Sequence, residues 1–281
     1  EAAGPLHAAA LAGVADALSL LGAHDQAFDA IRRAVGAIGP GDEMGGAVYP
    51  VVPDVFRRAG RSAEAIALLQ PLVAAGAGPA VTIAIAEALQ DLGRHDQAQA
   101  LLAAELVQAP GDTGLLFALA AARERAEDVE GAVGLVKALL DADPDNATAL
   151  NFVGYVWADR GMRLEEARRL LRRALELEPE DPHILDSLGW CEVKRGNFEE
   201  GARLLERARA GLPQDPVVLH HLAAAYAALG REAEAEGIWI QALAILERDP
   251  DPRVRTEIEA ARARWAARRQ APAHAGGAQA R

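Results

Sequence analysis

The side chains best suited to chemistry lie in the second half of the chain. His183, Asp186, His220 and His221 would converge if the segments that carry them packed side by side, and imidazoles with a carboxylate are plausible metal ligands. His220 and His221 are adjacent, however, and neighbours on a helix diverge by about 100°, which makes joint chelation awkward. Polar groove residues or partly exposed histidines are the simpler reading. Cys191 is the only cysteine, so neither a disulfide framework nor a cysteine-rich zinc site is available. Beside Trp190 it reads as a buried thiol, and a buried thiol is inert unless its pKa is lowered. His24-Asp25 and His95-Asp96 look like acid–base dyads. They sit in two copies of one turn, Gly22-Ala23-His24-Asp25-Gln26-Ala27 and Gly93-Arg94-His95-Asp96-Gln97-Ala98, and so read as helix starts, where Asp meets the helix dipole favourably. Gly39-Pro40-Gly41 and Gly111-Asp112-Thr113-Gly114 lack the lysine and the spacing of a phosphate loop. No catalytic set, cofactor or metal is expected, and the chain is not expected to be an enzyme.

Composition narrows the classes further. Of 281 residues 65 are alanine, whereas aromatics make up 4%, so any core must bring helices close together through small side chains. The net charge of −12, with 27 Arg and only two Lys (Lys137, Lys194), argues against a nucleic-acid partner, which needs a concentrated basic face. No apolar run is long enough for a transmembrane helix. The chain opens at Glu1 without a charged-then-apolar leader, and is expected to be a processed or truncated product.

Stepping through the chain at 34 residues lays 182–215 over 216–249, pairing Leu188 with Leu222, Gly196 with Gly230 and Ala208 with Ala242. The template extends back toward the N-terminus. Small residues recur at Ala15, Ala86, Ala120, Gly154, Gly189 and Ala223; glycines at Gly22, Gly60, Gly93, Gly161, Gly196 and Gly230; and small residues again at Ala27, Ala65, Ala98, Ala132, Gly201 and Ala235. Apolar residues at helical spacing form a stripe on a first helix, a glycine ends it in a left-handed conformation, and a second stripe follows. Pro110, Pro144, Pro179 and Pro213 stop the second helices. Seven repeats are expected, at 8–45, 46–78, 79–112, 113–146, 147–181, 182–215 and 216–249, with a capping helix at 253–269 and a weakly ordered tail at 270–281. Irregularities are expected at the Gly39–Gly46 loop, at Pro53 as a kink, and at Gly161-Met162-Arg163, which carries one extra residue.

This pattern resembles the tetratricopeptide repeat, best in Leu185, Leu188, Gly189, Gly196, Phe198, Leu205, Ala208 and Pro213, with departures at Glu192, where Tyr is usual, and Gly201, where Ala is usual. The resemblance implies an all-α, right-handed solenoid and a non-catalytic scaffold that holds a peptide or protein segment against its first helices. Carried onto this chain, its contact positions are Asn151, Tyr155, Asp159, His183, Asp186, Ser187, Trp190, Lys194, His220 and His221. Asn151–Tyr155 and Asp186–Trp190 each place a polar side chain and an aromatic four residues apart, on one helix face. In this reading Tyr155 and Trp190 anchor the ligand. Residues 151–208 are also similar to C-terminal repeats of exported Gram-negative lipoproteins of this family. That implies an adaptor for envelope proteins, such as a protease, at the periplasmic face or outer membrane. The alternatives are self-association, and the repeat portion of a larger enzyme such as a transferase.

Overall fold

In the computed structural model, residues 3–39, 42 and 45–270 are described. They form helices α1 (Ala3–Leu20), α2 (His24–Gly36), α3 (Gly45–Val48), α4 (Val51–Arg57), α5 (Ser62–Ala74), α6 (Pro79–Asp91), α7 (His95–Gln108), α8 (Thr113–Arg125), α9 (Val129–Ala142), α10 (Ala147–Asp159), α11 (Leu164–Leu177), α12 (Pro182–Lys194), α13 (Phe198–Gly211), α14 (Pro216–Ala228), α15 (Glu232–Leu246) and α16 (Pro252–Gln270). There is no strand among the described residues. Consecutive helices pack on one another in α1–α2, in α3–α9 and in α11–α16, and first helices also touch the next first helix, as α4 does α6 and α12 does α14. The fold is an all-α solenoid. The chain divides into two compact units, 1–156 and 157–281. The expected tail lies outside the described residues beyond Gln270, as does part of the Gly39–Gly46 loop.

The turn glycines behave as the spacing requires. Gly22, Gly60, Gly93, Gly161, Gly196 and Gly230 all have φ between 65° and 86°. In the fourth repeat Glu127 stands at the equivalent place and takes φ 65° itself; Arg163, in the turn with the extra residue, takes 44°. An L-residue in that region costs about 1–2 kcal/mol. The kink expected at Pro53 falls just before it. The helix is interrupted at Tyr49–Pro50, between α3 and α4, and Pro53 lies in the first turn of α4, where its missing N–H has no intrahelical partner to lose.

In the N-terminal unit Phe28 and Phe56 stack at 4.7 Å, with the Arg61 guanidinium 4.3 Å over the Phe28 ring. Arg58, with only 5% of its side chain exposed, reaches Asp16 Oδ1 and Ser19 Oγ, each at 2.6 Å. In the C-terminal unit small residues set the helix spacing. A Cβ added to Gly201 would lie 2.7 Å from Val193 Cγ2 and 3.0 Å from the Gly189 carbonyl oxygen. At Glu192, where the family pattern has Tyr, the buried carboxylate accepts from Arg168 Nε (2.6 Å), Arg195 Nη1 (2.6 Å) and Asn197 Nδ2 (2.7 Å). An ionic knot replaces the aromatic.

Candidate protein-interaction site

The first helices of the C-terminal unit are fixed at their starts. Asp181 accepts from the amides of His183 and Ile184, and Asp215 from those of Val217 and Val218, while Pro182 and Pro216 open the helices. These caps hold in place the residues one and two turns further on.

Those residues form one connected network. The indole N–H of Trp190 donates to Asp159 Oδ1 at 2.9 Å. Lys194 Nζ donates to the Asp159 carbonyl at 2.7 Å and lies 4.7 Å over the Trp190 ring. The other face of the network is aromatic: Trp190 stacks on His221 at 4.2 Å and 11°, and meets His220 at 6.1 Å. His221 Nδ1 lies 2.9 and 3.0 Å from the two Asp186 carboxylate oxygens. Trp239 Nε1 donates to His220 Nδ1 at 3.1 Å, and the Trp239 ring in turn meets Trp265 edge-on at 5.6 Å. Burial, reinforced by the neighbouring His221, pushes the His220 pKa down to about 3, so this ring is neutral. The electrostatic field at His220 also includes Asp159, Lys194 and Arg264 of α16.

Of the ten sequence-predicted contact residues, six meet here: Asp159, Asp186, Trp190, Lys194, His220 and His221. Ser187 turns back on its own helix, its hydroxyl donating to the His183 carbonyl at 2.9 Å. His183 is exposed at the start of α12. Asn151 and Tyr155 belong to the N-terminal unit, and both are half-buried. There Phe152 meets Phe117 at 6.1 Å, and the Asn151 Oδ1 is buried without a partner. Trp190 is only 8% exposed, and Asp186, Ser187, His220 and His221 are buried as well. These five are thus mostly engaged by their neighbours. The half-open side chains are Asp159 and Lys194, at 34% and 30%. Arg264, exposed on α16, was not singled out by the sequence; its helix reads as a cap, and only the repeat register would place it beside α14.

Cys191 is fully buried against the Leu164 carbonyl, and burial, followed by the Glu192 charge, pushes its thiol up to about 11. No group of three or more His, Cys, Asp or Glu among the described residues is arranged to hold a metal ion. His24 and His95 open α2 and α7, with Asp25 and Asp96 in the first turns. No described helix is long and apolar enough to cross a membrane.

Family models described as tetratricopeptide repeat match residues 83–147 and 117–182, 162–216 and 217–248, together more than half of the chain. The chain belongs to the tetratricopeptide-repeat family. One relative is the TPR repeat-containing protein PA4667 of Pseudomonas aeruginosa, 33% identical over 185 residues. That alignment covers 65% of this chain and 31% of the relative, so the chain spans about a third of the relative's length. Among solved structures, TTC0263, a thermophilic TPR protein of Thermus thermophilus, aligns with TM-score 0.55 at 23% identity, over 65% of this chain and 97% of that one. The APC/C hetero-tetramer Cut9–Hcn1 aligns with TM-score 0.63 at 15% identity, over 90% and 49%. Both establish the fold. TPR folds generally serve as scaffolds for protein–protein interaction.

Proposed function

We propose that this chain is a non-catalytic adaptor that binds a peptide or protein segment on the first-helix face of its C-terminal unit, across α12, α14 and α16. The observation that carries the reading is the network behind Lys194 and Asp159. A buried indole, two imidazoles and a second carboxylate hold those two half-open charged groups in one geometry. Such preorganisation lowers the ordering cost that a ligand must meet on binding. Lys194, Asp159, His183 and Arg264 supply the polar contacts, and the rims of Trp190, His220 and His221 the apolar floor. Asn151 and Tyr155 are proposed as separate contact residues on the N-terminal unit. The resemblance of residues 151–208 to exported lipoprotein repeats supports a place in the bacterial cell envelope, with an envelope protein such as a protease as partner.

Peptides selected from a random display library on the immobilised chain provide the test. Their affinity is expected to fall at least tenfold on Lys194→Glu and to be unchanged by Arg172→Glu on the exposed side of α11. Peptides that bind both variants as tightly as the parent refute the assignment of this face.

A further inference from the structure

Helix α1 packs on α2, α3 and α4 through one side only. At about 100° per residue its buried residues Ala8, Ala12, Ala15 and Ser19 share that side. Opposite them run Leu6, Ala10, Gly13, Val14, Ala17 and Leu21, all exposed. Leu6 is 70%, Val14 49% and Leu21 81% open to solvent. No Asp, Glu, Lys or Arg stands on this stripe: Asp16, the one such residue of α1, lies beside it and accepts from Arg58. The exposed His7 lies at the other edge. Contiguous apolar surface of this kind marks an interaction face.

The side-chain sizes along the stripe form a palindrome. Leu6 and Leu21, Ala10 and Ala17, and Gly13 and Val14 are each equidistant from the midpoint between residues 13 and 14. An isologous contact has this requirement, because residue i meets residue j while j meets i. Two stripes laid antiparallel across a two-fold axis at the midpoint set leucine against leucine, alanine against alanine, and valine against glycine. A Cβ added to Gly13 would have nothing within 4 Å, so the space that a valine would fill is open. We infer that α1 is a self-association surface, on which a second copy of this chain pairs antiparallel in that register. The pairing desolvates no carboxylate, lysine or arginine of the stripe, and its small central residues let the helices approach to about 8 Å. Eighteen residues make a face about 27 Å long and 10 Å wide. Two such faces cover roughly 500 Å² before side-chain relief is counted, at the small end of interface sizes, where association is weak and reversible. This face shares no residue with the one proposed above to hold a peptide.

Sedimentation equilibrium of the full chain over a range of concentrations is expected to show a reversible monomer–dimer equilibrium. Val14→Glu, which places a carboxylate beside the axis in each copy, is expected to weaken it roughly tenfold or more, and Arg172→Glu to leave it unchanged. Disulfide trapping reads the register, since Ala10 and Ala17 are exposed and Cys191 is buried and does not compete. Ala10→Cys chains mixed with ¹⁵N-labelled Ala17→Cys chains under mild oxidation are expected to give linked dimers whose mass shows one chain of each kind, with little linkage when either variant is oxidised alone. Ala10→Cys chains that link to one another as fast as in the mixture indicate parallel or unspecific pairing and overturn the inference. A mixture that forms no linked dimers overturns it as well, and leaves the stripe to a partner other than a second copy.

Discussion

Replacing Glu192 by Ala should unlock the C-terminal unit. The carboxylate is 2% exposed and accepts three hydrogen bonds, two of them from guanidinium groups at 2.6 Å. Removing one partner of a fully buried ion pair costs about 3–5 kcal/mol, because the other charge is left uncompensated. Here Arg168 keeps 27% and Arg195 16% of its side chain in contact with solvent, so water recovers part of the loss. That discount leaves a cost of about 2–3 kcal/mol, or roughly a 30- to 150-fold drop in the folded-to-unfolded ratio. Urea unfolding followed by tryptophan fluorescence isolates the effect, since all four tryptophans, Trp157, Trp190, Trp239 and Trp265, lie in this unit. Glu192→Gln should fall between parent and Ala variant, because a neutral amide can still accept. The pH dependence has a definite sign. Burial alone would raise the Glu192 pKa, but the hydrogen bonds from Asn197, Arg168 and Arg195 outweigh it and hold the group below the ordinary glutamate value of 4.5. Its contribution is therefore complete above that unfolded value and is lost as pH falls through the folded one. An Ala variant within about 0.5 kcal/mol of the parent at neutral pH would refute the reasoning.

Three further perturbations have expected outcomes. Gly201→Ala gains up to about 1 kcal/mol of helix propensity but forces a Cβ within 3.0 Å of the Gly189 carbonyl and 3.2 Å of the Val193 amide. Backbone atoms cannot turn aside, so a net loss of about 1 kcal/mol is expected in the same fluorescence assay. Glu127→Gly relieves a left-handed residue at φ 65° and should raise the stability of the N-terminal unit by roughly 0.5–1 kcal/mol, seen as a higher circular-dichroism melting temperature. His220 has its pKa lowered from 6.5 to about 3, so the unfolded chain binds the extra proton first. Between those two values stability should rise with pH, and be lost as pH falls, by up to about 1.4 kcal/mol per unit, and His220→Gln should flatten that slope.

The repeat architecture was legible because its signals are local and redundant. A turn glycine, a small residue at each helix crossing and a terminating proline each act within one repeat, and successive near-copies repeat the message. Irregular places were only half legible. The extra residue at Gly161-Met162-Arg163 was visible as a count, whereas its effect, a left-handed Arg163, depends on how the turn closes. Pro53 marked a disturbed helix but not the residue where it breaks, because the first turn tolerates proline. Glu192 read only as a departure from the pattern, since its three partners come from α11 (Arg168) and from the turn after α12 (Arg195 and Asn197). The candidate site was least legible for the same reason. Register placed Trp190, Asp186 and His221 on first-helix faces, but their burial follows from pairings across repeats. Asp186 meets His221 35 residues away, and Trp190 meets Asp159 at a separation of 31. No single-repeat pattern encodes such pairings.

If the first helices of the C-terminal unit hold another polypeptide, as proposed, the contact must register on those helices. Amide chemical-shift mapping of the ¹⁵N-labelled chain, with a display-selected peptide added stepwise, tests it most directly. Saturable shifts concentrated on α12, α14 and α16 around Lys194, His220 and Arg264 are expected. Shifts confined to the second helices α11, α13 and α15, with those three residues silent at saturation, would contradict it.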